Sequence, residues 1–404
     1  MAARTDRLSP EHVRRELDGR GARTQPVNGR GVVWIALALG AVAAVAAVGF
    51  NRLPGEMRDF EVYWTAATRV VEGEPLYRSE DGHYQFKYLP AFAVLAAPAA
   101  ALSLGPAKAA WFVLSVALLP CLIWLSVQIL PLRRRPSWAV ALIVIVAMGK
   151  FYGHELVLGQ VNILFAVLAG AAILMLRQNR DVAAAALFVV AVAVKPYAIL
   201  FLPWIALVRG RAAIATVAIG SVVLALLPAA LYGFDGTIQL HREWWMTVTA
   251  STAPNLTNND NVSLAGMYAK WLGSGRAASL LTLASTVAFV MLAADVVYRG
   301  RGIHRREALE GALVLTLIPL LSPQGWDYVF LVATPAIAIF ANYDDRLPAA
   351  LRWTTRLAIA TIGLSLFDVM GRERYAAFMS WSIITICFIV LAVALAALRH
   401  RRVA

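Results

Sequence analysis

An all-α, polytopic integral membrane protein is the fold class this sequence predicts, on three observations. Its 404 residues are 60% hydrophobic with a mean hydropathy of +0.66, more apolar surface than a water-soluble domain can bury. The apolar stretches are long and are joined by short connections rich in arginine. The formal charge of +13 lies in small clusters on those connections, which is the pattern of positive-inside topology and not of a nucleic-acid surface, so no nucleic-acid partner is expected. Cys121 and Cys387 each fall inside an apolar run, so neither a disulfide framework nor a zinc site is expected.

Residues 1–30, rich in arginine, glycine and polar side chains, read as a disordered basic cytosolic tail. The apolar run 32–50 is long enough to span and lacks a cleavage site, so it reads as a first span that leaves the cytoplasm. A transmembrane domain then occupies 31–399, and 400–404 forms a short cytosolic tail. The first outer loop, 51–88, contains an amphipathic stretch at 60–71 that Gly73 and Pro75 stop, which predicts an interfacial helix lying on the bilayer. Residues 89–104 are apolar but short and broken by Pro90 and Pro98; the charge pattern makes them enter and leave on the outer side. Spans follow at 109–130, 137–151, 159–176, 182–194, 197–208 and 212–232. A second outer loop, 233–276, carries Trp244, Trp245 and an asparagine-rich run. Further spans near 277–298, 308–322, 326–341, 349–368 and 376–398 bring the total to about 12, with both termini cytoplasmic in a plasma membrane. Asp344 and Asp345 then fall in a cytosolic turn and read as solvated.

This topology, drawn from charge, places the unusual polar groups on one face. They are Asp59, where an apolar helix emerges into water, then His154, Glu155, Gln160, Asn162, Lys195, the run to Ser263, and 322–327. Polar groups beside apolar spans are costly unless they pair or line a wet cavity, so their convergence predicts a site. Asp59 reads as a catalytic base. Glu61 is its rival if the loop is extended, because alternation would then put both carboxylates on one side.

Several of these residues belong to short motifs that run in order along the chain. Asp59-Phe60 with Tyr63, the Gly73 to Tyr77 turn, Tyr88-Leu89-Pro90, Gly159-Gln160-Val161-Asn162, Lys195-Pro196, Asn261-Val262-Ser263-Leu264 and Ser322-Pro323-Gln324-Gly325-Trp326 together resemble the signatures of glycosyltransferase family 87. That family includes actinobacterial mannosyltransferases of phosphatidylinositol mannosides and related arabinofuranosyltransferases. The resemblance runs from about residue 55 to 335. It implies a GT-C fold, a sugar donor carried on polyprenyl phosphate, and a glycolipid or glycan acceptor at the outer face of a bacterial plasma membrane. Asp59 would be the general base. Two departures stand out: the Asn-Gln-Ser type motif reads Asn261-Val262-Ser263, and the histidine often found after the Ser-Pro-x-x-Trp motif is replaced around Asp327-Tyr328.

Inverting glycosyl transfer needs a carboxylate to take the acceptor proton and a cation to steady the departing phosphate. Asp59 supplies the first and Lys195, at a proline-marked break, the second. Arg242, beside Trp244 and Trp245, is another phosphate candidate. Gln160 and Asn162 are placed to bond sugar hydroxyls or, equally, to cap a helix. His154 and Glu155 are candidates for phosphate or sugar, and Asn261 and Trp326 for substrate binding through their motifs. Two adjacent residues are not a metal motif, so neither metal nor cofactor is expected. Mannose is the favoured sugar and arabinofuranose its rival. A lipid or sugar transporter or flippase would share the span count, but needs related halves and midplane sites that the sequence does not display. A non-catalytic scaffold would tolerate loss of Asp59 and Lys195.

Overall fold

A computed structural model describes residues 55–402 of the chain. The expected cytosolic tail at 1–30, the first span at 32–50 and the last two residues lie outside them. Every regular element among the described residues is helical; an isolated antiparallel bridge joins Asn261 and Trp326.

The amphipathic stretch of the first loop forms α1 (Arg58–Glu72). Its helical period sends Phe60, Tyr63, Ala66, Ala67 and Val70 into the core, while Arg58, Glu61 and Thr65 turn the other way. Gly73 ends it at φ 69°, its N–H returning to the carbonyls of Arg69 and Val70. Arg69 then grips Asp81, on the 3₁₀ turn Ser79–Tyr84, with paired bonds of 2.6 and 2.8 Å. The proline-broken stretch becomes α2 (Pro90–Ala96) and a 3₁₀ turn, Ala97–Ala101, packed on α1. Together they reach about 20 Å, short of the ~30 Å hydrocarbon core, so this segment is not a full span.

The chain continues through α3 (Leu104–Gln128), α4 (Ser137–Leu158), α5 (Asn162–Arg177), α6 (Asp181–Val194), a 3₁₀ turn (Pro196–Leu200), α7 (Phe201–Val208), α8 (Arg211–Leu226) and α9 (Ala229–Asn255). Beyond these come α10 (Leu264–Leu272), α11 (Arg276–Arg299), α12 (Glu307–Leu321), a 3₁₀ turn (Asp327–Ala333) and α13 (Thr334–Tyr343). The fold closes with α14 (Ala349–Leu364), α15 (Phe367–Met370), α16 (Arg372–Ser380) and α17 (Ile383–His400). Helix α12, the turn after it and α13 are buried at nearly every position and form the centre of the bundle. By contrast α11 turns Leu280, Leu283, Val287 and Met291 outward, an apolar face suited to lipid.

Among the described residues four helices, α3, α4, α11 and α17, are long and apolar enough to cross a membrane, and α8 with α9, bent by 90°, would make a fifth. The other apolar runs expected as spans within these residues, among them 182–194 and 197–208 on either side of Pro196, form helices of 17 residues or fewer, so helix length alone does not bring the count to about 12. The expected second outer loop is also mostly helix. Its polar content and Gly233 suggested a loop, yet α9 passes through Gly233 at φ 68° as a kink and runs on to Asn255.

The arginine-rich connections gather at one end of the bundle. Arg177 donates to the carbonyl of Gln128, Arg209 to Leu176 (2.6 Å) and Glu307 (2.5 Å), Arg305 to Pro131 (2.9 Å), and Arg399 to Arg306 (2.9 Å). The Asp344–Asp345 turn belongs here, and the solvated reading fails for Asp344. Only 3% exposed, it is clamped by Arg135 and Arg356, whereas Asp345 stays partly exposed against Arg134.

Candidate active site

At the opposite ends of the same helices, four breaks in regular structure come together: the start of α1, the link from α4 to α5, the end of α6, and the turn after α12. The first two are locked by backbone. Met57, at φ 62°, donates its N–H to Val157 O at 2.9 Å, and Gly159, at φ 70°, caps α4 by donating to Glu155 O. A Cβ on Gly159 would lie 2.9 Å from Phe60 Cβ, so only glycine lets α1 approach this closely. Trp111 of α3 donates to the carbonyl of Gly159 at 2.9 Å and stacks on Phe60. One residue on, Gln160 is thereby delivered under the first turn of α1.

Gln160, 6% exposed, is the hub. Its Oε1 accepts from Tyr63 OH at 2.8 Å, from Tyr88 OH at 3.2 Å and from Lys195 Nζ at 3.3 Å. Its Nε2 donates to Tyr328 OH at 3.2 Å and faces Asp59. Lys195 leaves α6 where Pro196 breaks the helix, and donates to Tyr88 OH at 2.8 Å with its ammonium over the Tyr88 ring. The two tyrosine hydroxyls are 2.6 Å apart. These contacts fix the amide: donors crowd Oε1, so Nε2 is the atom turned to the carboxylate. Burial raises the Tyr63 and Tyr88 phenols well above their ordinary range and keeps them protonated donors.

Asp59 is half-buried, and burial raises its carboxyl above the ordinary carboxylate range. The Gln160 amide and the charges of Lys195, His83 and His154 pull the other way. Lys87 also feels the charge of Asp59, and its own burial lowers its ammonium. A partly desolvated carboxylate ringed by cations and phenols can accept a proton from a hydroxyl beside an anionic partner.

The profile of glycosyltransferase family 87 matches residues 86–323, more than half of the chain. The chain belongs to glycosyltransferase family 87. No curated protein and no solved structure matches it. Asp59 precedes the matched stretch of this glycosyltransferase, but its partners Gln160 and Lys195 lie within it.

Of the glycosyltransferase's expected site residues, Asp59, Gln160 and Lys195 meet directly. His154 joins through Tyr328, its ring edge-on at 5.1 Å. Glu155 and Asn162 lie beside them but are occupied. Glu155, 1% exposed, accepts from Ile163 N at 3.0 Å and Asn162 Nδ2 at 2.8 Å, capping α5, while Asn162 Oδ1 takes Tyr197 OH at 2.8 Å. Asn261 is likewise saturated: Nδ2 donates to Asn255 O and Pro323 O, and Oδ1 accepts from Ser263 N and Oγ. Its backbone bridge to Trp326 ties the asparagine-rich run to the turn after α12. Two candidates stand apart. Because residues 58–72 are helical and not extended, Glu61 turns away from Asp59 and pairs with Lys108 at 2.5 Å and Arg58 at 3.3 Å. Arg242, exposed on α9, makes no contact with the hub. The expectation named Tyr63 and Tyr88 only as motif members and gave Tyr328, Asp327 and Lys87 no role. In an apolar chain such aromatics read as interface residues, and their one sequence signal was proximity to the polar motifs.

Proposed function

We propose that this glycosyltransferase moves a sugar, mannose in the first instance, from a polyprenyl-phosphate donor to a glycolipid or glycan acceptor, with inversion at the anomeric carbon. It acts at the outer face of a bacterial plasma membrane, in a GT-C type fold with both termini inside. Asp59 takes the proton of the acceptor hydroxyl as its oxygen attacks, and Lys195 offsets the charge that develops on the departing phosphate. Tyr63, Tyr88 and Gln160 hold these two groups in register. Inversion fits the occupation of the carboxylates nearest Asp59 in the chain and in the α4–α5 link, Glu61 by Lys108 and Glu155 by the cap of α5. The arginine-rich ends lie at the other end of the bundle, which supports placing the site outside.

The observation that carries this reading is the meeting of Asp59 with the Gln160 amide and the buried Lys195 at the break after α6. The test is transfer by purified protein from three radiolabelled donors: polyprenyl-phosphate mannose, polyprenyl-phosphate arabinofuranose and GDP-mannose. Mannose transfer from the lipid donor is expected, and none from the nucleotide. Use of the arabinose donor alone would change the sugar, while use of GDP-mannose alone would reject the donor class.

A further inference from the structure

His154 stands on the last turn of α4, and its Nδ1 lies 3.1 Å from Oδ1 of Asp327. The two side chains differ sharply in exposure, 42% for the imidazole and 4% for the carboxylate. A buried carboxylate 3.1 Å from one ring nitrogen holds that edge of the imidazole inward by charge and leaves the opposite edge to the exposed side. Asp327 is itself held in place: it opens the turn after α12, and Tyr375 OH approaches its other oxygen at 3.5 Å. The free nitrogen, Nε2, is on the far side of the ring and makes no hydrogen bond among the described residues.

That free nitrogen belongs to the Asp59 site and not to a separate one. Tyr328 packs edge-on against the imidazole and takes the Gln160 amide, the same amide that faces Asp59. Asp59 also lies within the electrostatic reach of His154, Lys195 and His83, and Lys87 lies within that of Asp59. Four basic groups, Lys195, His154, His83 and Lys87, thus lie around Asp59, and Asp260 and Glu155 also lie within reach of His154.

We propose that His154, oriented by Asp327, is a second anion-binding group of the active site, its Nε2–H donating to a phosphate oxygen of the lipid-linked donor. This rests on the donor class proposed above. In the transfer step the acceptor oxygen forms the new bond to the anomeric carbon and its proton passes to Asp59. The bond from that carbon to the phosphate oxygen breaks, and the electron pair stays on the phosphate, where Lys195 and His154 meet it. Asp327 is a positioning residue: it touches His154 and not the substrate.

The test is binding of farnesyl phosphate, with farnesol as the uncharged control, to purified wild type, His154→Asn, Asp327→Asn and the double variant in detergent. Asparagine retains a donor near the Nδ1 position and has nothing at Nε2. His154→Asn is therefore expected to weaken farnesyl phosphate about tenfold or more and leave farnesol unchanged. Asp327→Asn should weaken it less, and should add nothing once His154 is replaced. Wild-type affinity in His154→Asn would overturn the proposal alone. Equal losses for farnesyl phosphate and farnesol, or losses in the two variants that multiply, would also overturn it by showing a structural role. A wild type that binds farnesyl phosphate no better than farnesol would bring down the donor class together with the proposal.

Discussion

At the scale of single residues, the carboxyl of Asp59 holds the account together. Burial outweighs the cations around it, so its proton leaves at a higher pH in the folded protein than in the unfolded chain. Over the interval between those two values the native state binds more protons, and stability falls as pH rises. Asp59→Asn abolishes that loss. The melting temperature of the variant minus that of wild type, measured in detergent, should increase as pH rises through that interval and then level off. A difference that stays flat or shrinks would mean that Asp59 is not desolvated. Asp59 and Lys195 were legible because a charge beside an apolar run is rare and costly. The hydroxyls of Tyr63, Tyr88 and Tyr328 were not, since nothing in the sequence separates a buried tyrosine aimed at a glutamine from one sitting at the bilayer surface.

At the scale of elements, α1 is held to α4 by a contact that tolerates no side chain. Gly159 is at φ 70°, and an added Cβ would meet Met57 Cε and Phe60 Cβ at 2.9 Å. Gly159→Ala should cost roughly 1–3 kcal/mol of stability and reduce transfer out of proportion to its lower melting temperature, because it displaces the turn that carries Asp59. Gly149→Ala, in open space on the same helix, should be neutral or stabilising. Equal, mild effects for both would show that the approach of α1 is not critical. Helix α1 was readable from its apolar period and the Gly73 and Pro75 stop. The helix through 233–255 was missed because Gly233 and a run of polar residues look like a loop, while the chain bends at the glycine and continues. Glu155 and Asn162 divide the same way. Their motif marked a helix start, and the structure gives them to each other and to the backbone of α5.

At the scale of the whole molecule, the chain separates two chemistries along the bundle. Arginines tie the ends of α3, α5, α7, α12 and α17 together at one end. Asp59, Gln160, Lys195 and His154 gather where α4, α6 and α12 give way to irregular backbone at the other. That polarity was legible in the sequence as clustered basic residues between apolar runs. Most helix bounds were legible too: the short runs 182–194 and 197–208, divided at Pro196, are α6 and, after a 3₁₀ turn, α7; hydropathy does not reveal which of such short helices cross a bilayer. The two-ended plan makes the central claim simple to state: one carboxylate, at the polar end, activates the acceptor for a sugar leaving lipid phosphate. The most direct measurement is the initial rate of mannose transfer from polyprenyl-phosphate mannose by wild type, Asp59→Asn and Glu61→Gln at matched abundance. A fall of about 10²-fold or more in Asp59→Asn, with Glu61→Gln near wild type, is the expected result. Undiminished transfer by Asp59→Asn would contradict the claim.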